Sequence, residues 1–227
     1  MGRAAHQYRL LADEEGRLVL TAARPVRGFS LIELMVVIAV IGVLLVLGVP
    51  SISGWVGDSR LRSVAESFTN GLRLAQATAI ARNHVAVFAV TGATPAYNAT
   101  PATNGTNWMV LIDPLSSTNE TMDSTYLIQS STEARRQNVS VNSNGNSLVC
   151  FNSFGQQTAN LTSSLPAAAA TCAAPGGATG VDSSPTVFEL SRTGSSRKFR
   201  VLVYPGGRVR MCDASKTLST TNPDGCP

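Results

Sequence analysis

Histidine is almost missing from this chain of 227 residues; there are two, His6 and His84. No glycine-rich phosphate loop sits at a strand–helix junction. No nucleophile stands beside a base in a recognisable spacing. These absences argue against an enzyme. Cysteine is absent from the first 149 residues, and the four present (Cys150, Cys172, Cys212, Cys226) include no C-x-x-C pair. A zinc site is disfavoured by that spacing, and no cofactor is expected. Charged residues make up only 14% of the chain and aromatic residues 6%. Such a composition suits an exported, β-rich protein better than a cytosolic catalyst.

One long hydrophobic run stands out against this sparse background. Residues 29–49 carry a single charge, Glu33. At about 1.5 Å per residue the run is long enough to cross a bilayer. A carboxylate at the centre of such a helix costs roughly 2.5–3.5 kcal/mol on insertion scales, so Glu33 calls for a partner. Residues 1–28 are polar and hold five arginines (Arg3, Arg9, Arg17, Arg24, Arg27) against Asp13, Glu14 and Glu15. They do not form an ordinary secretory signal, because no apolar region precedes a cleavage site within them. Arg24 and Arg27 flank one end of the run, and Asp58 is the first charge past the other. The positive-inside bias then holds residues 1–28 in the cytoplasm and sends the remainder outward. An even number of cysteines beyond the run fits two disulfides in an oxidising compartment. Four cysteines allow three connectivities; sequential pairing, Cys150–Cys172 and Cys212–Cys226, is the expectation.

The helical pattern continues past the run. Leu61, Val64, Phe68, Leu72, Ala75 and Ala79 recur every three or four residues, which predicts one buried face. A helix is expected from about Ser30 to Arg82, interrupted near Pro50. His84 then falls at its end, as a capping or surface residue. After Asn83 the period shifts to two. Strands are expected at Val85–Val90, Trp108–Ile112, Thr186–Leu190 and Lys198–Tyr204, with weaker ones at Tyr126–Ile128, Val139–Val141 and Leu148–Phe151. A turn at Pro205-Gly206-Gly207 precedes a last short strand, Arg208–Cys212. Residues 91–107 and 159–185 read as long loops, with a helical turn at Ala167–Ala170. The fold class is therefore α+β, in three parts: a leader over 1–28, a long helix over 29–82 with its transmembrane part at 29–49, and a β-rich head over 83–227.

Gly28-Phe29-Ser30-Leu31-Ile32-Glu33, set between a basic leader and an apolar helix, resembles the class III signal of type IV pilins and type II secretion pseudopilins. The resemblance implies cleavage between Gly28 and Phe29 by a prepilin peptidase and N-methylation of Phe29. It implies that Glu33 neutralises the N-terminal amine of a neighbouring subunit during assembly. A leader of 28 residues is long for these proteins. The pattern of Phe68–Val90, with Gly207-Arg208-Val209-Arg210-Met211-Cys212, is similar to the FimT/GspH group of minor pilins. It implies a pilin-like fold, an antiparallel head on the long helix, and a subunit that moves from the inner membrane, head in the periplasm, to the pilus or cell surface. Its partners would be other pilins in a helical filament.

Arg192 to Arg210 holds six cations and no acid in nineteen residues. In a strand Arg208 and Arg210 project from one face, and so do Lys198 and Arg200. Such a face suits the phosphate backbone of double-stranded DNA, where neutralised charge supplies the affinity. Apart from Phe199 and Tyr204, no aromatic side chain is interleaved with these cations. Within the resembling family the ending is associated with binding extracellular DNA for natural transformation. That makes Arg208 and Arg210 the leading contacts, with Arg197, Lys198 and Arg200 in support. The alternatives are solvated edge-strand charges, or salt bridges to neighbouring subunits. A structural tip or priming pilin without a ligand, or a GspH-like pseudopilin of type II secretion, would fit those.

Overall fold

The computed structural model describes residues 8–12, 18–22, 28–112, 123–158, 172 and 184–227. Most of the leader, the Ala167–Ala170 turn and nearly all of the 159–185 loop lie outside the described residues. The chain divides into two compact units, Met1–Val49 and Pro50–Pro227.

In the first unit, β1 (Tyr8–Ala12) pairs antiparallel with β2 (Leu18–Ala22). Helix α1 begins at Leu31 and runs to Arg82. Ser30 caps it: its hydroxyl accepts the Glu33 N–H at 3.2 Å, and its carbonyl accepts the Leu34 N–H. Ser-x-x-Glu is the capping-box spacing, and an acid in the first turn complements the positive end of the helix dipole. The expected break at Pro50 is absent, and the helix continues through it. A proline removes one donor, and the flanking turns keep theirs. Among the described residues no helix is long and apolar enough to cross a membrane. The expected span of 29–49 ends at 46–49, which lie outside the residues whose side chains are described.

The second unit carries the remainder of α1 and the head. The face read from the periodicity is the buried one: Leu61, Val64, Phe68, Leu72, Ala75 and Ala79 are at most 1% exposed. Each large side chain buried so completely contributes about 1.5–3 kcal/mol. Asn83, at φ 52°, ends the helix in the left-handed region. The His84 N–H reaches back to the Ala79 carbonyl and the Asn83 N–H to that of Ile80, a Schellman-type cap.

Two sheets share the core with this helix. The first orders as β6 (Leu127–Ser131), β5 (Asn107–Ile112), β3 (Ala86–Thr91), β8 (Leu148–Phe151) and β9 (Gln157–Thr158). The second orders as β13 (Gly225–Cys226), β12 (Val209–Thr217), β11 (Lys198–Val203), β10 (Thr186–Arg192), β7 (Val139–Asn142) and β4 (Asn104–Gly105). A short helix, α2, covers Glu133–Arg136. All pairings are antiparallel except β12 with β13. Phe68 of α1 meets Phe88 of β3 at 4.8 Å and Phe188 of β10 at 5.1 Å between ring centroids. Phe88 in turn stacks on Trp108 of β5. These four rings join the helix to both sheets. Gly71 makes room for them, since a Cβ there would sit 2.8 Å from Trp108 and 2.9 Å from Phe88.

Strands β3, β5 and β8 are buried at every position. A second cluster (Val87, Ala89, Met109, Leu111, Leu148, Cys150, Cys172) covers the face turned away from the helix. Hence these strands are continuous apolar runs and not the period-two pattern expected after Asn83, whereas β7 and β10 alternate as a half-buried strand should.

Candidate functional site

Gly28 and Phe29 lie just ahead of the helix, and both are exposed; Phe29 is 83% accessible. From residue 28 to 45 every side chain is exposed, on all sides of the helix. A helix apolar around its whole circumference requires a non-aqueous environment. Glu33 sits one turn into that surface, on the Ser30 cap.

The basic ending falls on the outer face of the six-stranded sheet. Phe199, Val201 and Val203 point into the core, so Lys198, Arg200 and Leu202 point outward. Arg210 is the register partner of Leu202, and Cys212 that of Arg200. Strand β12 starts at Val209, so Arg208 belongs to the preceding turn rather than to the strand. The Tyr204 N–H donates to the Arg208 carbonyl at 2.9 Å. Arg208 thereby shares the outer face with Arg210, as the spacing predicts.

The cations differ sharply in their partners. Lys198 Nζ lies 3.1 Å from Glu189 Oε1, and Arg200 Nη2 lies 3.0 Å from Glu189 Oε2. The hydrogen bond from Lys198, aided by Arg200 against partial desolvation, holds the Glu189 carboxyl below its ordinary value. Arg197 does not join this face. It reaches Asp58 of α1 at 3.7 Å and the buried Asp213 of β12 at 4.0 Å. Ser195 also donates to Asp58, at 2.5 Å, so that pair ties the β10–β11 turn to the helix. The acid-free stretch of sequence is thus met by acids from three other places in the chain.

Arg208 and Arg210 differ from Arg197, Lys198 and Arg200. Among the described residues neither has a carboxylate within ion-pair distance. Arg208 is exposed, with its guanidinium 4.0 Å over the Tyr204 ring. Arg210 is half-buried, and its Nη2 donates to the carbonyls of Pro223 (3.3 Å) and Gly225 (3.1 Å). Carbonyls orient that guanidinium without cancelling its charge. The tail that supplies them is held by the Cys212–Cys226 disulfide, and a second bridge joins Cys150 to Cys172. Both are the sequential pairs. Lys216 also binds Asp224 in this tail, at 2.7 Å. Glu189 and Tyr204 complete the site, and period-two alternation does mark both as outward-facing. Their register against Arg200 and Arg208 is what sequence does not supply. Among the described residues no group of three or more His, Cys, Asp and Glu side chains is placed to hold a metal ion.

A long capped helix with an apolar first part and an antiparallel head defines a pilin-like α+β protein. Residues 23–49 match the prokaryotic N-terminal methylation motif, and residues 64–207 match the family described as Type II transport protein GspH. The chain belongs to the GspH family and, with its methylation motif, is a minor pilin of the FimT/GspH type. That membership implies assembly with other pilin-like subunits. No curated protein matches the chain. Among solved structures it is similar to the type IV minor pilin FimU of Pseudomonas aeruginosa in two crystal forms. One has 12% identity and a TM-score of 0.45, covering 70% of this chain and 92% of that one. The other has 11% identity and a TM-score of 0.42, covering 68% and 94%.

Proposed function

We propose that this protein is a non-enzymatic minor pilin that binds extracellular double-stranded DNA through phosphate contacts, for uptake in natural transformation. The observation that carries this reading is the pair Arg208 and Arg210. They share one outer face and keep their charge uncompensated, while Arg197, Lys198 and Arg200 beside them are engaged by acids. A short row of fixed cations without base-reading side chains suits sequence-independent phosphate binding.

The same reading extends to the N-terminus. A prepilin peptidase cleaves between Gly28 and Phe29, and Phe29 is methylated. Residues 29–49 hold the subunit in the inner membrane, head in the periplasm, until it enters the filament. The all-round apolar surface of residues 29–45 supports this. Glu33 then pairs with the new N-terminal amine of a neighbouring subunit.

The test is a titration of the full chain in detergent with labelled duplex DNA at two salt concentrations. Binding that weakens with salt and falls tenfold or more in the Arg208→Ala/Arg210→Ala double variant supports capture. Absence of binding at high micromolar protein and low salt refutes it and leaves the pseudopilin or tip-subunit role.

A further inference from the structure

On a turn neighbouring that of Arg208 the other sheet contributes an aromatic side chain. Phe154 sits at the tip of the β8–β9 turn and is 82% exposed, although its ring is large and apolar. The turn is rigidly made. Asn152 Oδ1 accepts the N–H groups of Phe154 and Gln156, both at 3.0 Å, and the Asn152 carbonyl accepts the Gly155 N–H at 2.8 Å. Phe154 is therefore presented on a fixed loop rather than left on a loose one.

That turn is docked against the Arg208 turn. The Gly155 carbonyl lies where a side chain on Gly207 would have to go. Gln76 of α1 donates to the same carbonyl at 2.7 Å, and the Gln157 N–H donates to the Pro205 carbonyl at 3.0 Å. Gly155 follows Phe154 directly, and Gly207 directly precedes Arg208. By backbone geometry the Cα atoms of Phe154 and Arg208 lie within about 13 Å of each other. Two docked turns from different sheets thus carry, on neighbouring positions, an exposed ring and an exposed guanidinium that sits on Tyr204.

We propose that Phe154 is a base-stacking residue, and that with Arg208 it lets this surface hold single-stranded DNA or frayed duplex ends in addition to duplex. The inference rests on the DNA-binding reading above and adds to its duplex phosphate contacts a second mode, for unpaired bases. The chemistry is complementary: a cation holds the phosphate while an exposed ring accepts the face of an unpaired base, which a paired duplex does not offer. Stacking of this kind tolerates any base, so no sequence preference follows.

The experiment compares fluorescence anisotropy of the full chain in detergent with a labelled oligo-dT 20-mer and with a blunt 20-base-pair duplex. Phe154→Ala is expected to weaken oligo-dT binding about fivefold or more, to leave blunt-duplex binding within twofold, and to keep the salt slope. Arg208→Ala weakens both and flattens the slope by about one. Phe154→Trp retains binding, and its added fluorescence is quenched by oligo-dT relative to the parent chain. If Phe154→Ala leaves oligo-dT affinity within twofold while Arg208→Ala lowers it, DNA binding stands and the stacking role fails. If the parent chain binds neither nucleic acid, both fail. If Phe154→Ala leaves DNA binding intact but lowers cross-linking to other pilin subunits, the ring is a protein contact, and the proposal is overturned.

Discussion

The guanidinium of Arg208 lies 4.0 Å above the ring of Tyr204, and the two residues face each other across the turn between β11 and β12. An exposed cation–π contact is worth about 0.5–1 kcal/mol, enough to bias where a long side chain points. Replacing Tyr204 by leucine is expected to cost two- to fivefold in DNA affinity with little change in melting temperature. Tyr204→Phe should be close to neutral. Equal losses in both variants would mean that the hydroxyl, not the ring, matters.

Glu189 restrains the cationic face. Its carboxyl is held below the ordinary glutamate value, foremost by the Lys198 hydrogen bond. The folded-state value is the lower one, so this stabilisation is complete above the ordinary glutamate range and fades as pH falls through the depressed value. The pairs are largely exposed, so the contribution is modest, roughly 0.2–1 kcal/mol. Glu189→Gln should release Lys198 and Arg200, tighten DNA binding several-fold at low salt, and steepen the salt dependence by about one. Unchanged affinity and slope would show that those two cations lie outside the contact area.

Gly207 stands at φ +86°, and any Cβ there meets the Gly155 carbonyl and the Gln76 amide. Backbone strain alone costs of order 1–3 kcal/mol, and the clash adds to it. Gly207→Ala should lower the melting temperature by several degrees and displace Arg208. Thermal denaturation followed by circular dichroism measures the first effect. A melting temperature within one degree of the parent would contradict this geometry.

Opening the Cys212–Cys226 bridge removes the closure of a short loop, worth about 3 kcal/mol. It also frees the Pro223 and Gly225 carbonyls that orient Arg210. Cys212→Ser/Cys226→Ser should lose stability in urea unfolding and weaken DNA binding. A variant that loses stability yet keeps full affinity would separate Arg210 from the tail.

Glu33→Ala leaves an apolar helix and removes the carboxylate. Membrane recovery should persist while incorporation into sheared filaments falls. Equal incorporation would mean that the carboxylate has no role in assembly.

Much of the helix was legible because burial follows its period: Leu61 through Ala79 form the face that the spacing marks. Strand β8 is found where Leu148–Phe151 indicated. The two-residue strands β4, β9 and β13 were not legible, since they exist only through the partner each lies beside. Helix α2 is a single turn, too short to show a period. The same limit governs the site. Alternation places Arg208 with Arg210, but only tertiary register brings Glu189, Asp58 and Asp213 to the remaining cations. Phe154 has no cationic neighbour in sequence; its relation to Arg208 exists because two turns dock.

Strand β13 is only two residues long, yet it lies along β12, which would otherwise be an open margin of the six-stranded sheet. Exposed margins recruit other strands. The tail covers part of that margin, and the Cys212–Cys226 bridge is one of the bonds that hold it there. The bridge thus bears on the sheet's margin as well as on stability: loosening the tail would leave the outer strand less well covered.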